Sequence, residues 1–339
     1  MSVDTVDWNT LERLRSEFLA AKGKTGVYWT SPSDLAHYHR FFAARIGWKW
    51  DAALAQAQQV GWKLQSRRLL DWGCGSGIAT LRLLETFGTD CLDEVILWDH
   101  STIACEFAKD AILERHPQLT VSIANPNSLE SLEDTICVIS HVLNELSLDD
   151  RAELTELSRS AKQVFWVEPG SHLSSRLLLD QREALLGQHD PIAPCVCVQK
   201  CPMRDEDNLR HWCHFFAKTP IEVFMDGDWA RFAQIMEIDL RSLPYSFICM
   251  DAKSLESAPQ LDGHSRVLGR PRQFKGYSKV FSCDSNGLND YELQKRDAKS
   301  LWKSIKKGKE GSLYKWTEIV SGRIRSGQSA DEDFSASSL

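Results

Sequence analysis

Leu69-Leu70-Asp71-Trp72-Gly73-Cys74-Gly75-Ser76-Gly77 decides the fold. The stretch runs from an apolar strand candidate, Arg68–Trp72, through three glycines into a helix candidate, Gly77–Phe87. Glycine takes left-handed torsions at no steric cost and lets a ligand approach the main chain where a Cβ would block it. Some way on, a second apolar run, Glu94–Trp98, ends at Asp99, where an acid can hold ribose hydroxyls. A glycine triplet alone is weak evidence. Strand, glycine turn, helix, second strand and acid in that order mark a nucleotide-type pocket.

Outward from this turn, short apolar runs alternate with helical stretches. Thr102–Arg115 reads as a helix, and Thr120–Ile123, Thr135–Ser140 and Gln163–Val167 as strands. This β-α-β rhythm predicts an α/β fold with a parallel, doubly wound, Rossmann-like sheet. Upstream, residues 8–60 read as helical: Leu11, Leu14, Phe18 and Leu19 share one face, and Ser31-Pro32-Ser33-Asp34 is a helix-start signal. Tyr38, Phe41, Phe42, Trp48 and Trp50 are read as packing for this helical part rather than as a nucleic-acid platform. Downstream, Cys, Pro and Trp break the rhythm over residues 188–243. Tyr245–Met250 and Gly276–Ser282 are further strand candidates, Asp290–Ile324 reads as basic helix and coil, and the tail from Ser326 as disordered.

The glycines are spaced Asp-x-Gly-x-Gly-x-Gly, whereas the dinucleotide fingerprint sets its last two glycines three apart. The form here resembles motif I of class I methyltransferases. That resemblance implies a class I methyltransferase fold binding S-adenosyl-L-methionine. Asp71 would face the methionine amino group, Gly73, Gly75 and Gly77 would line the methionine and ribose, and Asp99 would grip the ribose. His141 and Asn144, after the fourth strand, are further candidates for the pocket. No catalytic residue is assigned. Ser140-His141-Val142-Leu143-Asn144-Glu145-Leu146 lacks the Asn/Asp-Pro-Pro-aromatic motif of base amino-methylating enzymes. Pro194-Cys195 has the dipeptide of cytosine-C5 enzymes, but lies inside a cysteine cluster and is not read as a nucleophile.

Ten cysteines occur in the chain, and Cys195, Cys197, Cys201 and Cys213 cluster with His211 and His214. Such density points to a metal site. Structural zinc favours paired Cys-x2–4-Cys knuckles, and only Cys197-x3-Cys201 approaches that spacing. Iron–sulfur clusters accept looser spacings. Ala193-Pro194-Cys195, Lys200-Cys201-Pro202 and Trp212-Cys213-His214-Phe215 resemble the hallmark of a small-ribosomal-subunit methyltransferase-like family of bacteria and mitochondria, which includes methyltransferase-like protein 17. Val142–Leu146, Val167–Gly170, Ser265–Pro271 and Cys283–Gly287 look like its other blocks, so the likeness spans roughly residues 30 to 320. It implies a 4Fe-4S cluster held by Cys195, Cys201, Cys213 and Cys283. Cys249 is a rival for the fourth place, Cys197 stands where the family often has a His, and zinc stays open.

The organisation expected is a helical N-terminal extension (1–60), an S-adenosylmethionine-binding core (61–187), a Cys-rich metal-cluster insert (188–243), the final core strands (244–289), a basic RNA-contacting segment (290–326) and a disordered tail (327–339). Net charge is −7 over 339 residues, yet residues 264–326 hold 15 Lys+Arg against 6 Asp+Glu, a balance of +9 that leaves −16 elsewhere. Such asymmetry suits a polyanion. Arg270, Arg272, Lys275, Lys303, Lys306 and Lys307 are the candidate RNA contacts, with Lys309 beside them. Trp302, Tyr314 and Trp316 are candidates for base stacking.

No run approaches 18 apolar residues, so no membrane span is expected. The acidic N-terminus resembles neither a secretory signal nor an Arg-rich presequence. Bacterial cytoplasm is the expected compartment and the mitochondrial matrix the alternative. Two functions follow: an assembly or translation factor on the small ribosomal subunit contacting rRNA, a monomer when off the ribosome, or an active methyltransferase of rRNA or another substrate.

Overall fold

The computed structural model describes residues 5–20, 29–125, 132–256, 259, 261–308 and 311–330. The chain forms two compact units: residues 1–54, 63–169 and 217–245 make one, and 55–62, 170–216 and 246–339 the other.

The first unit opens with helices α1 (Trp8–Ala20), α2 (Pro32–Tyr38) and α3 (Ala44–Gln59), the last two joined by a π turn, His39–Ala43. Ser31 starts α2 by accepting a hydrogen bond from the Asp34 amide, with Pro32 in the first turn, where its missing N–H costs nothing. The α/β part follows: β1 (Arg68–Trp72), α4 (Ile78–Phe87), β2 (Glu94–Trp98), α5 (Thr102–Arg115), β3 (Thr120–Ile123), β4 (Thr135–Ser140), α6 (Leu148–Arg159) and β5 (Gln163–Pro169). All five strands are parallel, in the order β3-β2-β1-β4-β5. Ile136 to Ile139 and Val164 to Val167 are wholly buried, as expected for strands covered on both faces. Strand order reverses between β1 and β4. In open α/β sheets ligands bind beyond the carboxyl ends at such a reversal.

The chain then enters the second unit with α7 (His172–Leu185), β6 (His189–Ala193) and β7 (Phe215–Ala217), and returns to the first for α8 (Gly227–Ile235). Phe41 stacks on Phe232 of α8 with ring centres 5.0 Å apart, and Trp48 meets Trp229 at 5.2 Å. The N-terminal aromatics are therefore packing, as read from the sequence.

In the second unit, β8 (Leu243–Ala252) runs antiparallel to β6. Beyond it come β9 (His264–Val267), β10 (Arg272–Phe274), β11 (Tyr277–Asp284), β12 (Gly287–Gln294), α9 (Lys299–Lys307), β13 (Leu313–Val320) and β14 (Arg323–Ser329). The expectation of helix and coil over 290–324 is corrected: strands flank a nine-residue helix. Ser326–Ser329 also lie in a strand, while Lys309 and the tail from 331 fall outside the described residues. Arg266 on β9 is buried to 1% exposure. Its Nε donates to the Pro194 carbonyl at 2.8 Å, and one terminal nitrogen to Gln56 Oε1 and Ser312 Oγ, both at 3.0 Å. Among the described residues, no helix is long and apolar enough to cross a membrane.

Candidate functional site: a glycine-turn pocket and a cysteine cavity

In the first unit, Gly73, Gly75 and Gly77 follow β1 with φ of 73°, 51° and 73°, torsions that side-chain-bearing residues rarely adopt. The Gly73 and Cys74 amides donate to the Trp98 carbonyl at 2.8 and 3.0 Å, tying the turn to the end of β2. A Cβ on Gly77 would stand 3.0 Å from the Ala108 Cβ, so this glycine lets α4 approach α5. A Cβ on Gly75 would come only to 3.6 Å of the Trp29 ring.

Asp99 accepts from the Gly75 amide at 2.9 Å through one oxygen and from the Ser101 amide at 2.9 Å through the other. Burial raises its pKa. Asp71 is fully buried, with one carboxylate oxygen accepting from Thr80 Oγ1 at 2.7 Å. Its other oxygen, Oδ1, has no hydrogen-bond partner among the described residues. Burial pushes Asp71 up to about 7. A carboxylate buried against nothing cationic is costly, and a bound cation would compensate it.

Across the strand reversal, His141 follows β4 with φ of 60°, a strained conformation for a non-glycine residue. Its Nε2 is 3.1 Å from Lys49 Nζ on α3. Lys49 is half-buried, and burial, reinforced by Arg45, lowers it to about 7. Burial likewise lowers His141 well below the usual histidine range. Ser140 Oγ accepts from the Trp50 indole at 2.9 Å and lies 3.3 Å from His141 Nδ1. Glu168 Oε1 accepts from the Val142 and Leu143 amides and the Trp166 indole, which fixes the loop carrying His141 and Asn144. Sequence reading missed Arg45 and Lys49. The available signal was two bases four apart in the otherwise apolar opening of α3, residues 44–50.

The second unit gathers five cysteines, Cys195, Cys197, Cys201, Cys213 and Cys283, around one cavity. Arg182 and Arg266 also line it. Arg182 Nε donates to Cys195 Sγ at 3.2 Å, and its NH2 to the Cys197 and Gln199 carbonyls at 2.8 and 3.0 Å. Cys197 Sγ donates to the Asp284 carbonyl at 3.0 Å. Burial raises the Cys201 thiol to about 11 and pushes the Cys213 thiol up as well. A hydrogen bond with Cys283 draws Cys197 down to about 7. Cys249 is buried on β8 opposite Ala193 and does not line the cavity. His214 leaves the group too, its ring stacked on Trp212 and packed under Gly269. Among the described residues no three His, Cys, Asp or Glu side chains converge as they would on a single metal ion.

Of the candidate RNA contacts, Arg270 lies over the Phe216 ring at 4.0 Å, and Arg272 pairs with Asp290 at 2.5 Å. Lys275, Lys303, Lys306 and Lys307 are exposed. The stacking role expected of Trp302, Tyr314 and Trp316 is corrected. All three are buried, at 8%, 3% and 9% exposure, in a core with Val280, Leu293 and Ile324. Helix α9 is amphipathic: Leu301, Trp302 and Ile305 face inward and its lysines outward.

Comparison with solved structures gives distant likenesses. Protein 1320 of Thermoplasma acidophilum is 14% identical with a TM-score of 0.36, over 66% of this chain and 98% of that one. A SAM-dependent methyltransferase from Aquifex aeolicus is 12% identical with a TM-score of 0.34, over 66% and 99%. TrmK of M. capricolum is 9% identical with a TM-score of 0.31, over 59% and 68%. No curated protein matches. The model of one family, described as mitochondrial small ribosomal subunit Rsm22, matches residues 43–316, which span the glycine turn and every cysteine of the cavity. This chain belongs to the Rsm22 family of the mitochondrial small ribosomal subunit.

Proposed function

We propose that the protein is an S-adenosylmethionine-binding, iron–sulfur methyltransferase-like factor that contacts rRNA on the small ribosomal subunit during assembly or translation. The observation that carries this reading is the convergence of Cys195, Cys201, Cys213 and Cys283 on one cavity although they span 89 positions of the chain. The donor set fits a 4Fe-4S cluster: thiols alone, with Arg182 and Arg266 to offset the negative charge of a thiolate-bound cluster. Four thiolates on four separate irons stand farther apart than four around one zinc. Zinc stays the alternative occupant, and metal analysis separates the two. Cys197 is a fifth thiol at the Cys283 side.

The glycine turn fits the second cofactor. S-adenosylmethionine carries an ammonium group suited to the unpartnered Asp71 oxygen and a ribose suited to Asp99. Gly73, Gly75 and Gly77 would line the methionine and ribose with their main chain, Gly77 also letting α4 close on α5, and His141 and Asn144 would border that space. When bound, it supplies a methyl group activated on a sulfonium. For RNA, the exposed Arg270, Arg272, Lys275, Lys303, Lys306 and Lys307 supply phosphate contacts. The compartment that suits the family is the mitochondrial matrix, with bacterial cytoplasm the other setting, and the protein is a monomer off the ribosome.

One observation favours methyl transfer to rRNA as a second reading. Lys49, held near neutrality beside His141 at the strand reversal, suits a general base. Mapping rRNA methylation with and without the gene separates the readings: a lost mark makes the protein an enzyme, and faulty subunit assembly with all marks intact makes it a factor. The cluster is tested by anaerobic purification. A brown protein with about four irons per chain is expected, and a colourless one holding a single zinc overturns the assignment.

A further inference from the structure

Five of the last six strands close on themselves in a specific order. β9 pairs antiparallel with both β11 and β13, β11 with β12, and β13 with β14. The circuit is completed by a parallel pairing of β12 with β14, Glu292 opposite Arg323 and Leu293 opposite Ile324. Numbered within the barrel, the strands run 1-2-3-5-4-1. The parallel contact lies between the third and fifth, and α9 lies between the third and fourth. A five-stranded Greek-key barrel of this kind is an OB-fold, whose oligonucleotide surface is the face of strands 2 and 3 with the loops after strands 1 and 4. Burial along β11 alternates accordingly: Ser278, Val280, Ser282 and Asp284 point inward, and Tyr277, Lys279, Phe281 and Cys283 outward.

Half of that outer face is taken. The His211 ring lies 4.6 Å from Phe281, and Cys283 lines the cysteine cavity. Asp290 and Glu292 stand opposite Phe281 and Lys279 on β12, and Asp290 is paired with Arg272 at 2.5 Å. The other end is open and of different character. Strand β10, inserted in the loop after the first strand, forms a hairpin with β11. On it Phe274 is 47% exposed and stacks on Tyr277, with ring centres 4.8 Å apart and planes 7° from parallel. Lys275 is exposed at the tip, Arg272 on the strand, and Lys295, whose amide donates to the Gly276 carbonyl at 3.0 Å, lies beside them with Arg296. An exposed aromatic ring ringed by bases suits a nucleobase with its phosphates. A base inside a duplex offers no free face to stack on, so the site selects unpaired nucleotides.

We propose that residues 264–330 form an OB-type module, and that Phe274 and Tyr277, flanked by Arg272, Lys275, Lys295 and Arg296, stack an unpaired nucleotide of RNA. The proposal rests on the RNA-contact reading above and names its site. The test uses the full, anaerobically purified chain and a fluorescent 12-nucleotide mixed-sequence oligoribonucleotide, single-stranded or annealed to its complement. Single strands should bind more tightly than the duplex. Phe274→Ala should weaken single-strand binding by about 5- to 150-fold, the range for one lost base–aromatic stack. Phe274→Tyr should retain it, and duplex binding should not change in either variant. An unchanged thermal midpoint in Phe274→Ala shows that the hairpin variant folds. If Phe274→Ala binds single strands as wild type while a Lys303, Lys306 and Lys307 triple alanine variant loses them, the stacking site is overturned and the RNA reading stands. A wild-type protein that binds neither RNA in low salt overturns both. Unchanged RNA binding with loss of a ribosomal protein in the Phe274→Ala pull-down assigns the hairpin to a protein partner and also overturns the proposal.

Discussion

The two units build their sites in opposite ways. The glycine-turn site takes its main parts from residues 71–77 and Asp99, and local bonds shape it: three positive-φ glycines, main-chain bonds to Trp98 and the Asp99 carboxylate on the Gly75 amide. The cysteine cavity takes its thiols from residues 195, 197, 201, 213 and 283, and tertiary packing brings them together. The first site is as local as a helix cap. The second exists only when β11 has paired and α7 has presented Arg182. A site of the first kind should tolerate damage elsewhere in its unit, and one of the second kind should fail as a whole.

The largest test of this contrast is Cys213→Ser. On the proposed cluster, metal binding to the cavity is also folding free energy, and iron should then fall from about four per chain to less than one. The thermal midpoint of the second unit should drop by roughly 10 °C or more. S-adenosylmethionine affinity, measured by calorimetry on the same protein, should stay within about twofold if the two sites are independent. A tenfold loss there breaks the comparison. Gly77→Ala should act in the converse way. A Cβ at φ 73° and 3.0 Å from the Ala108 Cβ should cost about 1–3 kcal/mol and weaken cofactor binding at least tenfold, with iron content unchanged. Iron loss in this variant would show the units to be coupled.

The smallest effect is a pH dependence. Asp71, raised to about 7 by burial, is half protonated near neutrality. A bound ammonium needs the carboxylate, so cofactor affinity should rise about tenfold from pH 6 to pH 8. Asp71→Asn should flatten that rise and lower affinity throughout. The same raised pKa works the other way on the ligand-free fold: the native state holds its proton longer than the unfolded chain, so this residue's contribution falls as pH climbs from about 4 to about 7. A flat binding profile in the wild type would show that Asp71 does not meet the cofactor's amine.

The pocket was legible in the sequence because its parts are neighbours: alternation gave β1, β2 and β4, and glycine spacing gave the turn. The cysteines were legible as a dense block, and Cys283 through the family resemblance, but nothing local separated Cys249 from the cavity. Trp302, Tyr314 and Trp316 read as exposed because they sit among lysines, yet the lysines form only the outer face of α9 and of the barrel strands. The barrel was not legible at all. Its closure lies in the β9–β13 and β12–β14 registers, contacts between residues more than 30 positions apart, which periodicity does not report.

Arg266 shows what such remote contacts mean for a chain under synthesis. Its guanidinium bonds to residues 56, 194 and 312, and a buried charge short of its partners is strongly unfavourable. Until residue 312 has emerged, this side chain must stay hydrated, and β9 cannot settle into place. The glycine-turn strands, complete by residue 169, are free to order long before. Synthesis delivers the five parallel strands first, α8 of the same unit next and the last partner of Arg266 only at residue 312, so a chain cut before that point should leave the cysteine unit unformed.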